Sequence, residues 1–160
     1  KFLKYVKQAT PNKRKHIYLM HSYTFWSDEV KEAFLLNDSA QIVGCELSQV
    51  ADLSDHYEDP YEEMAMRLVY HALNGPISRR IEAGIHHAKQ AGADGAVWFN
   101  HWGCKHTLGG SRIAKKRFEE AGIPMLILAG DGCDRSHGGE GQTSTRLGAF
   151  LEMLGDFDHE

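Results

Sequence analysis

The residue types most able to do chemistry gather in Asn100-His101-Trp102-Gly103-Cys104-Lys105-His106-Thr107-Leu108-Gly109-Gly110. A cysteine just ahead of a helix start, beside Lys105 and between His101 and His106, lies in positive potential. Such potential lowers a thiol's pKa and favours the thiolate that metals and electrophiles require. The plain alternative is a small core residue ending a strand, since cysteines are commonly buried. Core cysteines seldom lie in so polar a stretch, and the reactive thiol is the reading the residues favour.

Cys133 leaves the following strand in Gly130-Asp131-Gly132-Cys133-Asp134-Arg135, about 5 Å away laterally, so Cys104 and Cys133 can share a ligand. Gly and Asp also simply make turns. Cys45, about two strand spacings from Cys104, is expected to be packed. His101-x2-Cys104-x-His106 offers donor types suited to zinc, and with Cys133 it leaves a mononuclear zinc site open as a reading. Its spacing matches no recognised zinc pattern, and His86 and His87 point to different sides of a helix. Downstream, Gln142, Thr143, Thr145 and Arg146 crowd a helix N-terminus, where an anion or carboxylate is welcome. Capping accounts for the threonines. Arg146 in the first turn opposes the helix dipole, a conflict that pairing with Asp131 or with a ligand would resolve. No Walker loop or Gly-x-Gly-x-x-Gly fingerprint occurs. Asp134-Arg135-Ser136-His137-Gly138-Gly139 has the wrong offset and place for corrinoid binding.

The elements that must hold these residues are legible. Ile17-Tyr18-Leu19-Met20, Gln41-Ile42-Val43-Gly44, Gly95-Ala96-Val97-Trp98-Phe99 and Met125-Leu126-Ile127-Leu128 read as strands buried on both faces, as parallel strands are. Ser27, ahead of Asp28 and Glu29, caps one helix. Asp59-Pro60 starts another with Met64, Leu68, Val69 and Leu73 on one apolar face. Pro76 opens a third, around Ile77, Ile81 and Ile85, which ends at Gly92. Ser111 to Gly122 forms a fourth around Ile113 and Phe118, and a fifth carries Leu147, Phe150, Leu151 and Leu154. Alternating strands and helices imply right-handed crossovers. The expected fold is a three-layer α/β domain, Rossmann- or flavodoxin-like, with a four-stranded parallel sheet of order 2-1-3-4 and helices on both faces. That order opens a crevice between strands 1 and 3, placing His21 and Ser22 opposite Asn100 to Cys104 as candidate substrate contacts.

The chain has 160 residues, 42% apolar and 25% charged, with a net charge of -4. That size suits one domain with a real core. Lys and Arg are spread among acidic residues rather than clustered, which argues against a nucleic-acid partner. No apolar run approaches the roughly 20 residues that span a bilayer, so no membrane partner is expected and the chain reads as cytoplasmic. Three cysteines suggest free thiols or metal ligands rather than a disulfide framework. Residues 1–15, basic and weakly patterned, read as a linker or the remnant of an upstream segment, and 16–155 as a single domain.

Ala93-Asp94-Gly95-Ala96-Val97, His101-Trp102-Gly103-Cys104, Ala121-Gly122-Ile123-Pro124-Met125-Leu126, Asp131-Gly132 and Gln142 through Leu154 together resemble the 2-hydroxyacyl-CoA dehydratase family, which includes benzoyl-CoA reductase and double-cubane cluster relatives. Asp59-Pro60-Tyr61 fits as well. The likeness runs from about Asn12 to Leu154 and is to the family's C-terminal domain only. The resemblance implies an iron-sulfur cluster, 4Fe-4S or double-cubane, held in a cleft between two such domains. Cys104 matches the one ligand this domain supplies. The other two come from an upstream domain in typical members, so the isolated chain would hold no intact cluster and would be inactive. Implied partners are that upstream domain, a homologous subunit, an ATP-hydrolysing activator that delivers one energetic electron, and an acyl-CoA or other small-molecule substrate. The chain would then be part of a lyase or a reductase. His101 and the loop amides would tune the cluster and Trp102 exclude water. The His-Trp-Gly-Cys form of the loop and the Gly-Asp-Gly-x-Asp phrase are closer to reductase-like branches, which keeps dehydratase and reductase both open. A docking module without catalysis and the zinc domain are the alternatives.

Overall fold

The structure, a computed structural model, describes residues 13–21, 27–34, 38–49, 57–137 and 141–156. Four strands, β1 (Lys15–Met20), β2 (Ala40–Cys45), β3 (Gly95–His101) and β4 (Met125–Gly130), form one parallel sheet in the order β2-β1-β3-β4. Around it among the described residues lie α1 (Asp28–Phe34), α2 (Pro60–Val69), α3 (Ile77–Gln90), α4 (Lys105–Leu108), α5 (Ser111–Glu120) and α6 (Gln142–Asp156). The α/β class, the strand order and every expected strand are observed.

Alternation along the central strands builds a core on each face. Ile17, Leu19, Val97 and Phe99 point to one side and meet Val30 and Phe34 of α1 and Leu147, Phe150 and Leu154 of α6. Tyr18, Met20, Ala96 and Trp98 point to the other and meet Ile81 and Ala88 of α3 and Ala114 and Phe118 of α5. Successive side chains on opposite faces are what the two-residue strand period dictates. Both α3 and α5 end in the same way. Gly92 (φ 63) and Gly122 (φ 82) take the left-handed conformation, and the next amides, of Ala93 and Ile123, donate to the carbonyls of Ala88 and Phe118 at 2.9 Å. This motif satisfies the last carbonyls of a helix and turns the chain into the next strand.

Three packing expectations are corrected. β2 is half-buried apart from Ala40 and β4 buries only Met125 and Leu128, because both lie at the ends of the sheet order. α2 buries none of its residues, and Met64, Leu68 and Val69 are exposed; the helical residues in the two cores come from α1, α3, α5 and α6 instead. Leu73, beyond the end of α2, is half-buried. Ile113 is exposed, since the buried stripe of α5 runs through Ser111, Ala114 and Phe118 and Ile113 falls off it. The expected caps hold: Ser27 Oγ accepts from the Val30 amide, and Asp59 Oδ1 accepts from the Tyr61 amide at 2.9 Å with Pro60 at the first helical position.

Candidate functional site

Parallel strands deliver their carboxyl ends to one edge of the sheet, the edge at which ligands bind in such folds. Here that edge receives His21 after β1, Glu46 after β2, Trp102 to Cys104 after β3 and Asp131 after β4. Ser22 lies outside the described residues.

Cys104 is partly exposed and sits at the start of α4, its amide donating back to the His101 carbonyl at 3.0 Å. Burial opposes its ionisation, but the Thr107 hydroxyl and the amides of Thr107 and His106 outweigh burial and lower the thiol's pKa, with Arg80 adding a smaller electrostatic pull. The cause therefore differs from the helix-start potential expected at Cys104. α4 spans only Lys105–Leu108, too short for a helix dipole to dominate, and local donors do the work.

This single turn is held from below by buried donors. Arg80 Nη1 donates to the His106 carbonyl at 3.1 Å, Trp98 Nε1 to the Thr107 carbonyl at 3.2 Å, and Ser111 Oγ to the Leu108 carbonyl at 3.2 Å. Asn100 Nδ2 in turn donates to Ser111 Oγ at 3.0 Å. Arg80, 1% exposed, forms a two-pronged pair with Glu46, 3% exposed: Nε to Oε1 at 2.5 Å and Nη2 to Oε2 at 2.7 Å. Its guanidinium also lies 4.5 Å from the centre of the Trp98 ring.

Glu46 Oε2 accepts the His21 amide at 2.8 Å. His21 holds a left-handed backbone (φ 69), uncommon outside glycine. Its Nδ1 is buried and has no hydrogen-bond partner among the described residues. Burial, followed by the Arg80 charge, lowers its pKa and keeps the ring neutral near pH 7. Cys45, expected to be packed, is half-buried against the core; Sγ donates to the His21 carbonyl at 3.4 Å and burial raises its pKa.

After β4, Asp131 organises a turn. Oδ1 accepts the amides of Cys133 (2.9 Å) and Asp134 (3.1 Å), and Oδ2 lies 2.9 Å from His137 Nδ1. Asp131 is held down at about 2, first by His137 and then by the Cys133 amide, and His137 is raised by the same carboxylate. His101 Nδ1 accepts the Gly132 amide at 2.9 Å. That nitrogen is therefore unprotonated, and its 3.6 Å approach to Asp131 Oδ1 is not a salt bridge. Trp102 is 57% exposed and lies against His137, ring centres 6.3 Å apart.

The candidate zinc set does not assemble as expected. His101 and Cys133 converge with Asp131, their donor atoms within 4.8 Å of one another, while Cys104 and His106 lie outside that group. Arg146 does not pair with Asp131 either. Its Nη2 donates to the Ile127 carbonyl at 2.5 Å on the β4 backbone, which answers the dipole conflict with a carbonyl. Thr145 Oγ1 bonds its own turn at the Gly141 carbonyl, 2.8 Å, and Gln142 is exposed. The anion expected at this helix end is supplied internally, by Glu29 Oε1 accepting the Gly141 amide at 2.7 Å.

Glu46 and Arg80 escaped the sequence reading. Their signal was present: Arg80 falls in the same helical stripe as Ile77, Gly84 and Ala88, a charge on a buried face that demands a partner.

Among the described residues no helix is long and apolar enough to cross a membrane. Comparison with curated proteins finds no match. The family model described as 2-hydroxyglutaryl-CoA dehydratase, D-component, matches residues 1–154, nearly the whole chain and every element of the sheet edge described above. The chain belongs to the 2-hydroxyglutaryl-CoA dehydratase D-component family.

Proposed function

We propose that this chain is the cluster-ligand-bearing domain of an iron-sulfur dehydratase component, and that Cys104 supplies its one thiolate to the cluster. The supporting observation is a partly exposed thiol at the sheet mouth whose anion is favoured by the Thr107 hydroxyl and two amides. That donor set fits one corner of a cluster, which takes thiolate ligands. It does not fit a whole cluster: Cys45 is tied to the His21 carbonyl and Cys133 lies with His101 and Asp131. The remaining ligands therefore come from outside this chain, in our reading from an upstream domain that closes over the same edge.

The bound cluster would supply low-potential electron transfer to an acyl-CoA or related substrate, after charging by an ATP-dependent activator and within a complex containing a homologous subunit. The chain's own residues do the rest. Cys104 would hold iron, and the Thr107 hydroxyl with the amides of Thr107 and His106, which favour its thiolate, are the donors placed to adjust a cluster's potential. Exposed Trp102 and Leu108 present apolar surface beside the ligand, suited to a dry seam with a partner. His21, its pKa lowered by burial, lines the strand-end edge beside the Cys104 loop.

One observation favours a second reading. His101, Asp131 and Cys133 bring three donor types together, a set zinc accepts, although His101 Nδ1 and both Asp131 oxygens already have partners. Elemental analysis of the complete polypeptide, purified without oxygen, separates the two. Iron with acid-labile sulfide supports the cluster; one zinc per chain with no sulfide overturns it.

A further inference from the structure

We propose that the buried Glu46–Arg80 pair is the positioning unit of the Cys104 loop, clamping both walls of the crevice so that the thiolate is presented at one fixed place. The inference rests on the cluster reading above and adds to it the residues that aim the ligand.

Burying two charges is expensive, and well-packed apolar residues of similar volume usually serve stability as well or better. A pair 1% and 3% exposed therefore calls for a role that apolar side chains cannot fill. Both partners have one. Glu46 uses the oxygen facing Arg80 Nη2 to accept the His21 amide as well, at 2.8 Å, and that bond holds a non-glycine residue at φ 69. Arg80 spends Nε and Nη2 on the carboxylate and directs Nη1 to the His106 carbonyl, 3.1 Å away. One ion pair thus ties the segment after β1, the segment after β2, helix α3 and the loop after β3.

The loop needs such support. A four-residue helix cannot sustain itself, because helix nucleation is unfavourable and a single turn gains few bonds. Its three final carbonyls are each met by a buried or largely buried side chain, of Arg80, Trp98 and Ser111. Arg80 is the member of that set that also reaches the opposite wall, through Glu46. Only a planar fork with several directed N–H groups makes these bonds at once; an ammonium would keep the charge and lose the geometry.

The test uses the complete polypeptide prepared without oxygen, comparing wild type with the double variant Glu46→Leu/Arg80→Met and the single variant Arg80→Lys. Two quantities are read: amide hydrogen exchange across 104–109 and across β3, and the rate at which a ferrous chelator removes iron. Expected in both variants is exchange about tenfold faster at Thr107 and Leu108 with β3 protection unchanged, together with iron release about tenfold faster. Wild-type exchange and iron release in a folded variant would overturn the proposal. So would an equal loss of protection across β3, which would make the pair a general stabiliser. If the double variant does not fold, Arg80→Lys carries the same comparison. If wild-type protein holds no iron, the cluster reading fails, and the exchange measurement still decides whether the pair positions the loop.

Discussion

The indole Nε1 of Trp98 donates to the backbone carbonyl of Thr107 at 3.2 Å, so the strand that leads into the Cys104 loop also carries the donor that fastens the loop's far end. Trp98 is wholly buried, as is Thr107, and Thr107 Oγ1 returns to the Cys104 carbonyl at 3.1 Å. Strand, loop and thiol-bearing residue are thereby closed into one hydrogen-bonded ring.

Breaking that ring has a definite cost. Trp98→Phe keeps an aromatic ring in the core but leaves the Thr107 carbonyl without its donor, and an unsatisfied buried acceptor costs about 1–3 kcal/mol. Urea unfolding of wild type and variant measures it. A stability within roughly 0.5 kcal/mol of wild type, the range of ordinary surface changes, would show that the loop does not depend on this bond.

The turn after β4 should respond to pH in a particular window. Asp131 is depressed from 3.8 to about 2, mainly by His137, so its contribution is complete above 3.8 and lost as pH falls through about 2. His137 is raised above 6.5, mainly by Asp131, so its contribution is complete below 6.5 and lost as pH rises through its elevated pKa. The pair is therefore strongest between these two ordinary values. NMR titration of the His137 ring should give a value above 6.5 in wild type and a return toward 6.5 in Asp131→Asn. An identical titration in both proteins would contradict the pairing.

Cys104 and Cys45 should differ as nucleophiles. Burial raises the Cys45 pKa, whereas at Cys104 burial is outweighed by the Thr107 hydroxyl and the neighbouring amides. In metal-free chain at near-neutral pH, iodoacetamide should modify Cys104 at least about tenfold faster than Cys45, since the thiolate is the reacting form. Thr107→Val should slow Cys104 alone. Mass spectrometry of timed samples gives both rates, and faster labelling of Cys45 would refute the assignment.

Most of the fold was legible because its signals are local. Apolar runs bounded by Asp94-Gly95 or Ile123-Pro124, the Asp59-Pro60 cap, and the glycines at 92 and 122 each act over a few residues, and the alternation of strand and helix pointed to parallel strands joined by right-handed crossovers. Exposure was less legible. Met64, Leu68 and Val69 have the spacing of a buried stripe, yet periodicity says only that residues share a face, not that something covers it. At the site, Cys104 and its loop were evident from composition. The Glu46–Arg80 pair was not, because its members are 34 positions apart and a charge in sequence reads by default as solvated. Arg146 illustrates the same gap: its misfit with the helix dipole was visible, but the Ile127 carbonyl that resolves it is a backbone atom, and no residue type advertises a free carbonyl.

Whether Cys104 ligates iron, as proposed, is decided by the iron and sulfide content of the complete polypeptide carrying Cys104→Ala, reconstituted without oxygen beside wild type. Wild type should hold iron and acid-labile sulfide in cluster proportion, and Cys104→Ala should lose both while remaining folded. Wild-type iron and sulfide retained in folded Cys104→Ala would remove Cys104 from the ligand set.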